Sequence, residues 1–125
     1  TGERKEPVIE IIGRWRELAD VCMQFLRRDV AFSMVTIPEA LSVLQLDDVV
    51  EELARYDLRI SRLVVNNVVQ APDSPFLEQK RAQQQPHLER LHGRYGGVPI
   101  VEIPLFPQEV RGVERIRAVS HLLAA

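Results

Sequence analysis

Two adjacent carboxamides, Asn66 and Asn67, follow the apolar run LVV and precede a second apolar pair, VV. A carboxamide carries a donor and an acceptor side by side, the groups that the edge of a purine requires. The same residues would also serve simply to end a strand, and both readings stand at this point. The second candidate is the stretch VPIVEIPLFPQEVRG, residues 98–112, with Pro99, Pro104 and Pro107 around a short apolar run. A proline ring fixes φ near about −65° and removes a backbone donor, so these residues suit the ends and exit of a strand better than its middle. Val101, Ile103 and Leu105 alternate as a short strand does, and residues 104–108 make a stiff exit leading towards a helix. In open α/β sheets, ligands sit at such exits.

Other residue groupings carry less chemistry. The sequence contains no G-x-x-x-x-G-K-[ST] phosphate loop, and RYGGVP lacks both the lysine and the following hydroxyl. Without amides and a lysine around the phosphates, this segment does not hydrolyse a nucleoside triphosphate by itself. His87 and His92 stand on different faces of a helix that contains Pro86, with no cysteine pair nearby, and read as solvated surface rather than a metal site. Cys22 lies on an apolar stripe with Trp15 and Leu26, which points to a buried structural thiol. Ser33, Ser42 and Ser120 sit in no nucleophile-elbow context, so no hydrolase triad is expected. Lys80, Arg81, Arg90 and Arg94 are interleaved with Glu78 and Glu89 and lack an aromatic platform. That pattern is a solvated helical face, not a nucleic-acid surface. Asp47, Asp48, Glu51 and Glu52 likewise read as the wet side of a helix.

The elements that must position the two candidates follow from periodicity. The chain has 125 residues, 46% hydrophobic and 27% charged, with a net charge of −2. That is one domain's worth of ordinary soluble chain, with no field to recruit nucleic acid or an anionic membrane. Charged residues interrupt every apolar stretch well short of the roughly 20 positions a bilayer span needs. One cysteine excludes an internal disulfide framework and fits a reducing compartment. The opening TGERKEPV, with neither an initiator methionine nor an apolar targeting segment, suggests an excised piece.

Apolar residues at steps of three and four predict a leading helix over 7–28. A strand over 31–37 and a helix over 40–56 follow. The run ISRLVVNNVV is apolar on consecutive positions, as a parallel strand covered on both faces must be, and is expected at the sheet centre. Residues 76–92 read as a helix that Pro86 kinks or divides. The strand with Val101 and Ile103 comes next, and a closing helix carries Val113, Ile116, Val119 and Leu123. The order α-β-α-β-α-β-α implies parallel pairing through right-handed crossovers. The expected fold is α/β: three layers, a mostly parallel sheet of about three strands, and helices on both faces. Such a sheet is half of a doubly wound domain, and a missing half or a second copy is expected at its open edge. The turns following Ile37, Val65 and Ile103 are expected to open onto one rim.

In order and spacing, VTIPEAL, LVVNNVV and EIPLFPQEVRGVERI resemble the C-terminal portion of the arsenite-pump ATPase and tail-anchored-protein targeting ATPase family. The likeness runs over residues 30–125 of what reads as a single α/β domain, a partial P-loop NTPase-like domain. The resemblance implies that the parent is a dimeric ATP hydrolase of the deviant Walker type. Its phosphate loop, switch elements and Mg2+ belong to an N-terminal half, so this chain contributes no catalytic residue. It also implies that Asn66 reads adenine of ATP or ADP, and that Pro104, Leu105, Phe106 and Pro107 wall the base. Glu39, Glu109 and Arg111 are expected near the nucleotide or an interface, with a bracing role for Glu109 and Arg111 at the last helix still open. Many members carry a cysteine pair that binds zinc at the dimer interface; here SPFL puts Ser74 and Leu77 in those places. No zinc is therefore expected. The implied partners are a second copy or the chain's own N-terminal half, with a membrane-protein client or pump partner reached through the parent, in the cytoplasm and without nucleic acid. The alternative is a non-catalytic α/β interaction module derived from that family.

Overall fold

A computed structural model describes residues 5–124. Its elements run α1 (Lys5–Arg28), β1 (Phe32–Thr36), α2 (Ala40–Arg55), β2 (Ile60–Val68), α3 (Pro75–Tyr95), β3 (Ile100–Pro104) and α4 (Val113–Ala124). The chain divides into two compact units, one ending at Ala31 and the other beginning at Phe32.

The first unit is α1, with Pro7 in its opening turn and Arg27 and Arg28 in its last, where cations suit the helix dipole. Its apolar stripe is largely open: Ile12 is 55% exposed and Trp15 68%, and only Leu26 is half-buried. The expectation of a buried Cys22 is corrected with it, because the thiol is exposed. Amphipathic spacing makes a stripe but does not cover it, and the described residues of this unit include no second element to pack on.

In the second unit the strands form a sheet of order β1-β2-β3. Both pairings are parallel, with Val35 opposite Val64 and Val64 opposite Val101. The all-parallel arrangement and the central place of β2 match what the unbroken apolar run implies. Leu63, Val64 and Val65 are each at most 5% exposed, because helices cover both faces of that strand. Leu63 and Val65 meet Val43 and Leu46 of α2 and Leu91 and Tyr95 of α3 in the main core. Arg62 points to the opposite face. There its guanidinium donates to the carbonyl of Leu123, 2.7 Å away, and so caps the last turn of α4. β1 is an outer strand: Thr36 is buried, but Val35, on the face opposite α2, is 65% exposed.

The helix after β2 is continuous through Pro86, so of the expected kink or division the division does not occur. Proline removes one hydrogen bond of the helical ladder and crowds the preceding turn. Pro86 is exposed, so the disturbed turn faces solvent, while buried Gln84, Leu91 and Tyr95 hold the helix to the sheet on both sides of it. The helix starts where Ser74 accepts a hydrogen bond from the Leu77 amide at 3.3 Å, with Pro75 at the first helical position.

Candidate functional site

The register of β2 against β3 shifts between Val65 and Val68. Three steps on β2 match two on β3, where Glu102 and Pro104 are the partners, so β2 carries one extra residue, a β-bulge. An extra residue also resets the alternation of side chains. Val65 and Val68 both enter the main core as a result, and Asn66 and Asn67 lie between them at the strand end. Asn67 has φ of 59°, a left-handed conformation that asparagine tolerates better than most residues.

The bulge is held from two sides. Gln84 of α3, 3% exposed, donates its Nε2 to the Asn67 carbonyl at 2.9 Å and accepts the Val69 amide on Oε1 at 2.9 Å. Just past the end of β3, the Leu105 amide donates to the Val68 carbonyl at 2.8 Å. The loop that follows is tied back by α4, since Arg115 donates to the Glu109 carbonyl at 2.7 Å and to the Gln108 side chain. Gly112, at φ of 86°, makes the turn into that helix, which only glycine makes without strain.

Between the bulge and the loop lies a cleft of about 460 Å³, lined by Asn66, Asn67, Leu105, Phe106, Pro107 and Glu109 among others. Pro104 closes β3 opposite Val68 and is not part of this lining. Arg111 is exposed beside Gly112 and also stands outside it. Glu39 is elsewhere, on a cleft of about 570 Å³ between the β1 exit and α3 that is also lined by Pro38, Phe76, Lys80 and His87. It occupies the N-cap position of α2, but its side chain makes no capping hydrogen bond. The fold thus brings Asn66 together with residues 105–107 and Glu109; Glu39 lines a different cleft, while Asn66 also lines one with Thr36 and Ile37 at the β1 exit.

The positions of Gln84 and Arg115 were not picked out by motif. Gln84 falls on the stripe completed by Leu88, Leu91 and Tyr95 at steps of four, three and four, a signal that a helical-period reading of α3 contains. Asp47 is a third such residue and a correction, since it is not on the wet side of α2: it is 6% exposed, whereas Asp48, Glu51 and Glu52 are exposed. Its carboxylate accepts from the Tyr95 hydroxyl and from Arg90 at 2.7 Å, and it forms an ion pair with Arg94 at 3.2 Å. Arg90 and Arg94 are therefore braces between α3 and α2 as well as solvated side chains. Burial acts to raise the Asp47 carboxyl, but the Tyr95 hydrogen bond and the two guanidinium groups outweigh it and hold the group below its ordinary value. Burial first, then the bond to that carboxylate, pushes the Tyr95 phenol up to about 12.

His92 pairs with Glu102 at 2.7 Å across the α3 and β3 surface, away from His87. Among the described residues no three histidine, cysteine or acidic side chains converge as a metal site. The Ser74 hydroxyl is engaged in capping α3. No helix among the described residues is long and apolar enough to cross a membrane.

The chain is 32% identical over 119 residues to the protein named ATPase GET3A of Arabidopsis thaliana, an alignment covering 89% of the chain and 34% of that protein. It is 33% identical to ATPase get3 of Schizosaccharomyces japonicus, over 85% of the chain and 34% of the relative. ATPase ARSA2 of Chlamydomonas reinhardtii is 31% identical over 71% of the chain and 25% of its own length. The chain thus spans about a third of the length of the curated relatives it matches. The profile of the family described as anion-transporting ATPase matches residues 5–125, nearly the whole sequence, and the chain belongs to that family.

Proposed function

We propose that this chain supplies the adenine-binding rim of an ATP site whose phosphate-binding part lies outside it. The observation that carries the reading is the cleft that joins Asn66 of the β2 bulge to the proline-bounded loop 105–107. A carboxamide offers paired hydrogen-bonding groups to a purine edge, and Leu105, Phe106 and Pro107 offer apolar surface to its flat face. Pro104 and Pro107 stiffen the loop, so little chain entropy is lost when the base enters. Glu109 stands on the rim of this cleft. Glu39, on the neighbouring cleft, faces an interface rather than the base, and Arg111 braces the approach to α4.

The residues of this chain form no lysine-bearing glycine loop, so phosphates and Mg2+ are held by an N-terminal half that completes the ATPase. In this reading the α/β piece over residues 30–125 acts in the cytoplasm. It is joined to its own N-terminal half or a second copy, and serves a membrane-protein client or a pump partner through the parent. Calorimetry of the full-length protein with ADP tests the base contact. Asn66→Ala is expected to weaken binding about tenfold, or about 1.4 kcal/mol, the scale of one well-placed hydrogen bond. Unchanged affinity would remove Asn66 from the pocket and favour an interaction module without a nucleotide role.

A further inference from the structure

We infer that Gln84 is the positioning residue of the base slot: its buried carboxamide fixes the Asn66–Asn67 bulge in the conformation that presents Asn66 to the base. The inference rests on the reading of the slot as an adenine site. Gln84 is one of three buried polar or charged residues among those described, and both ends of its amide are spent on the backbone of one short segment. It donates to the carbonyl of Asn67 and accepts the N–H of Val69, each at 2.9 Å. These two groups flank Val68, the residue at which the ladder to β3 resumes. A carboxamide suits the task because it bridges an acceptor and a donor at once. Glutamate lacks the donor, methionine lacks both groups at similar volume, and asparagine is one methylene too short to reach from the same backbone position.

The held conformation is not one the chain adopts freely. Asn67 has φ of 59°, which carries a steric cost for any residue with a Cβ, and the register shift takes this turn out of the regular ladder. Holding the Asn67 carbonyl and the Val69 amide fixes the turn between Val65 and Val68, and Asn66 sits within that turn. Gln84 therefore acts on Asn66 through the backbone without lining the slot, and it reaches that backbone from α3, on the far side of the sheet from α4. The Leu105 amide, bound to the Val68 carbonyl at 2.8 Å, joins the same bulge to the loop that forms the slot's other wall. One buried amide thus holds the segment that carries one wall and to which the other is bonded.

A positioning role differs from a merely structural one in what it moves. In the full-length protein, affinities for ADP, GDP and inorganic pyrophosphate are measured for the wild type, Asn66→Ala, Gln84→Met and Gln84→Glu. The wild type is expected to favour ADP over GDP about tenfold or more. Gln84→Met is expected to reduce that preference to near unity with pyrophosphate affinity unchanged, and Gln84→Glu, which keeps the acceptor for Val69, to reduce it partway. Should the methionine variant fail to fold, the glutamate variant carries the same comparison. If Asn66→Ala abolishes the preference while the Gln84 variants keep it, the positioning role is overturned and the base slot stands. If Asn66→Ala also keeps it, both fall. A parallel loss of pyrophosphate and ADP affinity in the Gln84 variants would make Gln84 a fold residue only and overturn the inference.

Discussion

Asp47 shows how much one side chain holds. Two hydrogen-bond donors, Tyr95 and Arg90, and the cation of Arg94 converge on its carboxylate, all from α3, so it fastens α2 to α3 over the sheet. Asp47→Ala removes both hydrogen bonds and the ion pair and is expected to cost about 2 kcal/mol, since hydrogen bonds to a charged group are worth about 1.5–3 kcal/mol but Arg90 and Arg94 regain water. Urea unfolding measures it. The pH dependence follows from direction. The folded carboxyl titrates below the unfolded value of 3.8, so its contribution is present above that pH and lost as pH falls through the folded value. Asp47→Asn is expected to flatten the acid decline in unfolding midpoint. Tyr95 behaves oppositely: its pKa is raised from 10.0 to about 12, so its contribution is present below pH 10 and lost as pH rises through about 12. Tyr95→Phe should cost about 1 kcal/mol near neutrality and show a shallower alkaline decline. An alkaline decline equal to that of the wild type would separate the phenol from the Asp47 brace.

Among the helices, α3 carries the clearest test, because it holds Gln84 and continues through Pro86. A proline in a helix interior costs about 3 kcal/mol against alanine, of which its restriction of the unfolded chain returns up to about 1 kcal/mol. Pro86→Ala is therefore expected to stabilise the protein by about 2 kcal/mol and to raise its Tm in thermal unfolding. A lower Tm would mean that the proline shapes the helix against the sheet. At the turn into α4, Gly112→Ala forces a Cβ into φ of 86° and is expected to cost about 1 kcal/mol. Because Gly112 ends the loop that walls the cleft, the same variant should also weaken ADP binding, which calorimetry reads.

Taken entire, the second unit is a sheet with outer strands on both sides and a cleft of about 460 Å³ between the β2 bulge and the loop after β3. Without phosphate contacts, the isolated 125-residue chain is expected to bind ADP only at about millimolar Kd, near −4 kcal/mol, against much tighter binding by the full-length protein. An NMR titration of the isolated chain checks this, with shifts expected at Asn66, Asn67 and residues 105–109. Micromolar affinity from the isolated chain would place phosphate ligands within it.

The element order, the parallel pairing and the central place of β2 were all legible in the amino-acid sequence. Apolar period is a property of consecutive residues, and an α-β alternation leaves few ways to connect them. Asn66 and the proline-bounded exit were legible as well, because asparagine at a strand end and proline beside it act through local backbone geometry. Tertiary structure alone decided which polar groups are buried: Asp47 meets Arg90 and Tyr95 across 43 and 48 residues of chain, and Gln84 reaches back 15 and 17 residues to the bulge. It also decided that Glu39 faces a different cleft from Asn66, and that the Cys22 stripe lies open. Burial and register are set by contacts between distant segments, and no local period encodes them.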